Sequence, residues 1–408
     1  MLKHWYPLFA SCAFASSLAA CAISPATPQN DAGSGAELVS DEQLFDDDNV
    51  LILLASEQEA NELMINVSRR GYQLIDRQFL EGLDLILLDF ARPPGISDEV
   101  AVNDMRMMSP SARVGLDNFY SAQAGMQSGS DAYGRTYANA LLGWPDQGCQ
   151  AMTPVGIIDG YLSDKVPGLN ASQIVSHNFA RRNSVESQHA ETVASLISGP
   201  GRLQNARIYS AGVVGESAAG QAGSGTKEIL LAFDWLRKQD VQVVNVSLSG
   251  PYNPLLESVV DLLAETGMVI VAAVGNEGPD APPRYPAAFE QVIAVTAVDA
   301  DQKIFGRAVQ GPHVEYAAPG VDVLIQAGQD SGRYVSGTSF AAPFVTALIA
   351  ADTSRSFDTN ADTVRSYLNR SIADLGVTGP DPVYGNGLVR AAAVCESHTG
   401  AQRTGEAS

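Results

Sequence analysis

The segment Val335–Ala350, VSGTSFAAPFVTALIA, places one serine among small residues at the start of an apolar stretch. Ser339 follows Gly337 and Thr338, and Pro343 lies inside the apolar stretch. A proline inside a helix removes a backbone donor, so it is tolerated best in the first turn. The pattern therefore indicates either a tightly packed helix start or a hydroxyl group that another molecule approaches closely.

Apolar strand patterns alternate with helical patterns between Cys149 and this segment. They are Val155–Ile158, Ala190–Ile197, Arg207–Ala211, Glu228–Lys238, Val243–Leu248, Leu255–Thr266, Val269–Val274 and Val292–Val298. Continuous apolar strands between helices predict an α/β domain with a doubly wound parallel sheet, covered on both faces. We expect this domain to span residues 149–395, with a tail at 396–408. Active sites of such sheets lie at the carboxyl ends of the strands.

Four polar residues stand at predicted strand ends or helix starts. Asp159 follows a strand, His189 begins a helix, Asn276 follows another strand, and Ser339 begins the last helix. Each alone is more typical of a cap or a turn. Together they supply a nucleophile, an imidazole to take its proton, a carboxylate to orient the imidazole, and an amide donor for an oxyanion. The sequence therefore predicts a hydrolytic site made of these four residues.

These motifs resemble those of the subtilisin-like serine peptidases over residues 154–394. Gly337–Pro343 is similar to the family's nucleophile motif and Val274–Gly278 to its oxyanion segment, in which Asn276 is the matching amide. Asn245–Gly250 resembles the strand that pairs with the substrate backbone. The resemblance thus implies substrate contacts at Ser247, Leu248, Ser249, Gly250 and Gly275.

The resemblance implies a serine endopeptidase that acts on polypeptide substrates through an acyl-enzyme intermediate. Its chemistry requires no cofactor. Family members often bind structural calcium, but no cluster of carboxylates in this sequence places such a site, and we assign no metal ligands. A catalytically inactive relative that serves as a peptide-binding or scaffold module is the alternative.

Three positions depart from the family pattern. Gly160-Tyr161 follows Asp159 where the family has Thr or Ser and then Gly, so we expect a rearranged turn that uses Gly160. Ala190-Glu191 replaces Gly-Thr after His189. Arg284 stands where a small residue often forms the base of the pocket for the side chain preceding the cut. It would either favour an acidic or hydrogen-bonding substrate side chain, or turn to solvent or pair with Asp280 and leave an apolar pocket.

Residues 50–118 carry a separate β-α-β-β-α-β pattern, with helices capped by Ser56 and Ser97 and a turn at Glu81-Gly82. This order predicts a small ferredoxin-like α+β domain. By resemblance it would be a pro-region that inhibits the site intramolecularly; a binding or tethering module is the alternative. Residues 119–148 include the Ser-, Gly- and Ala-rich stretch Phe119–Gly134 and are expected to form a linker, the expected place of self-cleavage.

The first residues have the pattern of an export signal. Lys3 and a short apolar run over residues 1–20 indicate a signal peptide. The ending Leu18–Cys21 resembles a bacterial lipoprotein box, which implies lipidation of Cys21, membrane anchoring and an outer-membrane, periplasmic or cell-surface location. Ordinary signal cleavage is the alternative. Residues 21–49, rich in Ser, Pro and acidic residues, then form a tether.

The remaining cysteines and the charge limit the possible partners. Cys12 would leave with the signal, so Cys149 and Cys395 are a candidate disulfide in an oxidising compartment, or else two free thiols. The formal net charge of −21 argues against a nucleic-acid partner, because the phosphate backbone would repel the protein.

Overall fold

The structure is a computed structural model that describes residues 49–121, 125–127, 137–163, 165–166, 168–181, 187–216, 221–326, 332–351 and 360–391. The predicted signal peptide, Cys21, Cys395 and almost all of the tether lie outside these residues. Cys149 is disulfide-bonded. None of the helices in the described ranges is both long enough and apolar enough to cross a membrane.

The N-terminal unit has the predicted order of elements. These are β1 (Asn49–Leu54), α1 (Glu57–Ser68), β2 (Gln73–Leu80), β3 (Leu85–Ala91), α2 (Asp98–Met108) and β4 (Arg113–Leu116). The sheet is antiparallel in the order β2-β3-β1-β4. The hydroxyls of Ser56 and Ser97 accept hydrogen bonds from the backbone in the first turn of α1 and α2, which explains where both helices begin.

Short elements connect this unit to the large sheet. They are β5 (Phe119–Ser121), β6 (Gly125–Gln127), α3 (Tyr137–Leu142) and β7 (Cys149–Gln150). The predicted linker, residues 119–148, thus contains two short strands and a short helix. β5 and β6 are each only three residues long, too short to show an alternation of apolar and polar residues in the sequence. Both are held by backbone pairing to strands that are distant in the chain.

The rest of the chain alternates strands and helices. The elements are β8 (Val155–Asp159), β9 (Ile174–Asn178), α4 (Gln188–Ser198), β10 (Leu203–Gln204), β11 (Ile208–Gly212), β12 (Gly215–Glu216), β13 (Ala222–Gly225), α5 (Thr226–Lys238), β14 (Val243–Val246), α6 (Pro254–Glu265), β15 (Val269–Ala273), β16 (Val292–Val298), β17 (Tyr316–Pro319), β18 (Val323–Gln326), β19 (Gly332–Ser336), α7 (Thr338–Ala351), α8 (Ala361–Leu368), β20 (Ile372–Ala373) and β21 (Leu388–Val389). Two 3₁₀ turns, Ala171–Gln173 and Asn369–Ser371, complete the list.

The large sheet has the order β20-β21-β17-β16-β15-β14-β8-β11-β9 and is parallel except for the pair β20 and β21. One apolar core lies between this sheet and α4 and α7, and a second lies between its other face and α5 and α6. The predicted doubly wound α/β fold is confirmed.

The N-terminal sheet extends the second core. Leu51, Leu53, Leu80 and Leu87 belong to the same buried cluster as the apolar residues of α5 and α6. The opposite face of that sheet packs against its own helices α1 and α2. The N-terminal unit is therefore held against the two helices that cover one face of the large sheet.

Candidate active site

The predicted catalytic carboxylate and imidazole meet at the carboxyl end of β8. Asp159 is fully buried, and both of its oxygens lie within hydrogen-bond distance of His189 Nδ1, at 2.9 and 2.8 Å. The Nε2 atom of His189 is buried and has no hydrogen-bond partner among the described residues. Because the carboxylate engages Nδ1, the ring is oriented with Nε2 directed away from Asp159, as a general base requires.

Close backbone packing places His189 beside Asp159. Ser187 caps the helix that carries His189, and its backbone N–H donates to Tyr161 O at 2.8 Å. A Cβ on Gly160 would come within 2.3 Å of the Ser187 side chain. Gly160 is therefore needed for close approach. Neither Gly160 nor Tyr161 has a positive φ, so the turn needs no left-handed residue at either position.

Ser339 is the second residue of α7 and is 4% exposed. Its backbone N–H has no acceptor within the helix, since the first four donors of a helix never do. Pro343 lies beyond the first turn, contrary to the simplest expectation for a proline. The residue at position 343 would normally donate to Ser339 O; that carbonyl instead accepts from the Ser247 hydroxyl at 3.2 Å. The missing helical hydrogen bond is thus replaced from the neighbouring strand end.

A short chain of hydrogen bonds fixes Ser247 in that position. Asn245 Nδ2 donates to Ser247 Oγ at 2.8 Å, and Thr346 Oγ1 donates to Asn245 Oδ1 at 3.1 Å. The hydroxyl of Ser247 therefore supports the nucleophile helix. The expectation that Ser247 contacts substrate gains no support from this contact. Thr346 was missed in the sequence because it stands in an otherwise apolar helix.

The side chain of Asn276 is oriented by Thr338. Asn276 Oδ1 accepts from the Thr338 backbone N–H at 2.9 Å and from its hydroxyl at 3.0 Å. A backbone N–H requires an acceptor, so the amide oxygen faces Thr338 and the NH₂ group faces away from it. Asn276 is 5% exposed. Its orientation suits an amide that donates to an oxyanion near Ser339.

The predicted substrate segment already pairs with the protein's own chain. Ser121 exchanges both backbone hydrogen bonds with Ser249, at 2.9 and 3.2 Å, and β5 pairs antiparallel with β13. The ring of Tyr120 lies over Gly250, where a Cβ would come within 2.3 Å of it. Leu248 is buried in the same cluster as Tyr120. β6, four residues further along, pairs with β19 just before Ser339.

Arg284 is 8% exposed and lies beside Gly275. A Cβ atom added to Gly275 would lie 3.1 Å from Arg284 Cγ. Its Nε lies 3.3 Å from Glu277 Oε1. Glu277 is therefore an ionic partner of Arg284, and the pairing with Asp280 stays a prediction. Glu277 was missed as a site residue, although it stands directly after Asn276.

Residues 161–387 match the sequence profile of the subtilase family. His189, Asn276 and Ser339 fall inside this range, and Asp159 lies just before it. In the part of the chain that the structure describes, no three His, Cys, Asp or Glu side chains are grouped as metal ligands would be.

Individual relatives are similar over the same region. The chain is 33% identical over 193 residues to the minor extracellular protease Epr of Bacillus subtilis (strain 168), covering 47% of this chain and 29% of that protein. It is 32% identical over 260 residues to subtilisin DY of Bacillus licheniformis, covering 60% of this chain and 92% of that protein.

Two solved structures share the fold. Fervidolysin from Fervidobacterium pennivorans, a keratinolytic enzyme related to subtilisin, superposes with a TM-score of 0.69 at 19% identity, covering 86% of this chain and 61% of that one. A mutant of the epidermin leader peptide processing serine protease EpiP from Staphylococcus aureus gives a TM-score of 0.64 at 14% identity, covering 84% and 98%.

Proposed function

This chain belongs to the subtilase family, and we propose that it is an exported serine endopeptidase whose nucleophile is Ser339. The observation that carries the proposal is the hydrogen bonding of the two ring nitrogens of His189. Its Nδ1 is engaged by a fully buried carboxylate, while its Nε2 has no partner among the described residues. Most buried polar groups that only stabilise a fold have hydrogen-bond partners, whereas a general base needs a free nitrogen.

The proposed reaction assigns a role to each of these groups. Ser339 Oγ attacks the peptide carbonyl while His189 Nε2 takes its proton, and Asp159 stabilises the resulting imidazolium. The oxygen of the tetrahedral intermediate accepts from Asn276 Nδ2 and from the Ser339 backbone N–H. His189 then protonates the leaving amine, and water hydrolyses the acyl-enzyme by the same steps.

Replacement of the nucleophile tests this proposal. Ser339→Ala should lower the rate of peptide hydrolysis by about 10³-fold or more and abolish labelling by a fluorophosphonate. Ser210→Ala is a matched control, because Ser210 is also a buried serine and its hydroxyl has no partner among the described residues. Hydrolysis by the Ser339→Ala protein at the wild-type rate would refute the assignment.

We further propose that the N-terminal unit inhibits this site within the same chain. In support, β5 and Ser249 form backbone hydrogen bonds that a bound substrate would otherwise form, and Tyr120 occupies the space above Gly250. Tyr120 is fully buried, and its hydroxyl donates to Pro251 O at 3.1 Å. A substrate can enter only when this strand leaves.

Self-cleavage would fall between Ser121 and Gly125. The chain pairs with Ser249 at Ser121 and with Ser336 at Gly125, and Ser339 follows Ser336 closely in sequence. The intervening residues, 122–124, lie outside the described residues. Intact-mass measurement of the purified wild-type chain should give two fragments with this junction, and the Ser339→Ala chain should remain whole.

The export signal gives that cut a consequence. If Cys21 carries the lipid, cleavage after Ser121 separates the anchor from the peptidase. The peptidase would then leave the membrane, or remain only through contacts with the N-terminal unit. Membrane fractions of wild type and Ser339→Ala distinguish these cases. If the membrane fractions of wild type and of Ser339→Ala retain the same amount of uncut chain, release by self-cleavage is excluded.

A further inference from the structure

Three polar side chains meet beside the candidate oxyanion amide. Glu277 Oε1 accepts from the Ser249 hydroxyl at 3.0 Å and lies 3.3 Å from Arg284 Nε. Glu277 Oε2 and Arg284 Cγ both lie over the backbone of Gly275, since a Cβ there would be 2.4 Å from the first and 3.1 Å from the second. Glu277, Arg284 and Ser249 are called the polar cluster below.

The polar cluster contains an unused acceptor and no net charge. With β5 lying along the cleft, Glu277 Oε2 is buried and has no hydrogen-bond partner in the described part of the chain. The guanidinium of Arg284 carries five donors, of which Nε faces the carboxylate. Leaving a buried carboxylate oxygen unpaired is costly, which suggests that a bound group completes its hydrogen bonding.

The substrate side chain that precedes the cut reaches this cluster. The substrate backbone must lie along Ser249, as Ser121 does, and the scissile carbonyl must point its oxygen toward Asn276. Gly275 directly precedes Asn276. The side chain of the residue whose carbonyl is attacked therefore enters the space bounded by Ser249, Gly275 and the polar cluster.

We propose that this pocket selects a neutral primary amide, as in glutamine, at the residue preceding the cut. The inference rests on the proposed function. The NH₂ group donates to Glu277 Oε2, and the amide oxygen accepts from the Arg284 guanidinium. A carboxylate would be repelled by Glu277, a cation would be repelled by Arg284, and a large apolar group would leave Glu277 Oε2 without a hydrogen-bond donor. Because Glu277 neutralises Arg284, the basis for an acidic preference is removed.

Five peptides that differ only at this residue test the proposal: Gln, Glu, Lys, Phe and Ala. The value of kcat/KM for Gln should exceed each of the others by about tenfold or more. A preference for Phe or Ala would overturn the proposal, because it would show that Glu277 and Arg284 form a wall of the pocket without binding the substrate side chain. A preference for Glu would show that the charge of Arg284 dominates. Fluorophosphonate labelling of wild type is measured alongside, so failure of the proposed function is recognised separately.

The variant Glu277→Gln sharpens the test. It removes the negative charge and leaves Arg284 uncompensated, so the ratio of kcat/KM for Gln over Glu should fall by about tenfold or more and can invert. Glu265→Gln, on the exposed end of α6, should leave the ratio at the wild-type value. An unchanged ratio in Glu277→Gln would overturn the proposal.

The chain carries its own substrate for this experiment. Gln123 follows Ser121 by two residues, between the two positions at which the chain pairs with the cleft. The proposal places the first cut between Gln123 and Ala124. Terminal sequencing of the two fragments should find this junction, and Gln123→Glu should slow self-cleavage by about tenfold. Cleavage at another bond, or at the same rate in Gln123→Glu, would count against the amide pocket.

Discussion

The catalytic centre and the surface that holds the N-terminal unit are stabilised in different ways. At the candidate centre, most contacts are hydrogen bonds between neutral groups at helix starts and strand ends, and the carboxylate of Asp159 is an acceptor for His189 and for the Gly160 backbone N–H. At the domain contact, buried charges dominate: Lys227 Nζ lies 2.7 Å from Asp89 and 2.8 Å from Asp76.

A second group of charges lies nearby at the end of β5. Arg181 pairs with Asp117 of the N-terminal unit and with Glu228 of α5. The backbone N–H of Lys227 also donates to Asp117 at 3.1 Å. Hydrogen bonds between neutral groups change little with pH and salt, whereas ion pairs respond to both. The difference suggests a site that stays assembled while the contact that blocks it can be adjusted.

The largest expected effect is at the contact between Asp159 and His189. Asp159→Asn should keep the fold but can present an NH₂ group to His189 Nδ1, which favours the wrong tautomer. We expect kcat for a peptide substrate to fall by about 10⁴-fold. Asp301→Asn, an exposed aspartate beside Lys303, is the control and should behave as wild type. A loss of less than tenfold in Asp159→Asn would show that Asp159 does not orient the base.

A smaller effect is expected at the domain contact. Lys227→Met leaves the carboxylate of Asp89, which is 1% exposed, without its cation. Breaking a buried pair in this way costs about 3–5 kcal/mol. The N-terminal fragment of the self-cut protein should therefore separate from the peptidase on size-exclusion chromatography.

Lys238→Met provides the matched control for that experiment. Lys238 pairs with Glu81 across the same contact, but at an exposed position. Exposed pairs contribute little, so its fragment should remain bound as in wild type. If both variants lose the fragment equally, the buried pair has no special role.

The elements that carry the candidate site residues could be predicted from the sequence, whereas this contact could not. Asp159, His189, Asn276 and Ser339 each stand at the end of an element whose pattern is local, and the topology of a parallel sheet brings such ends together. The partners of Arg284, Lys227 and Tyr120 depend on pairings between segments distant in the chain. Phe119–Ser121 is too short to show a periodicity that would mark it as a strand. Its hydrogen-bond partners are more than one hundred residues away in the chain.

The smallest predicted effect is a pH dependence of the domain contact. Burial, with the nearby Asp117 carboxylate, raises the pKa of Glu228 to about 7 despite Arg181, and burial also raises the pKa of Asp117. The docked state therefore holds protons that separated domains would release. This contribution is complete below the ordinary carboxyl pKa of about 4.3 and is lost as pH rises through about 7.

Other charges facing this group have little influence across that range. Burial lowers the pKa of Lys227, but the hydrogen bonds and charges of Asp76 and Asp89 raise it more. The pKa of Lys227 therefore lies above its usual value, and this residue stays protonated. Retention of the fragment on size-exclusion chromatography should therefore be greater at pH 5 than at pH 8. Glu228→Gln should flatten the profile. Stronger retention at pH 8 would contradict the assignment of Glu228 as the responsive group.

The pairing of β6 with β19 would favour the reverse of the proposed self-cleavage, in which the peptide bond forms again. After cleavage between Ser121 and Gly125, the new amino end would stay attached through β6 to the strand that precedes Ser339. The leaving amine would then remain at a high local concentration instead of diffusing away. Attack of that amine on the acyl-enzyme would restore the peptide bond in competition with water. The uncut and cut chains would then interconvert, and maturation would become irreversible only when β6 detaches from β19 or the N-terminal unit is degraded.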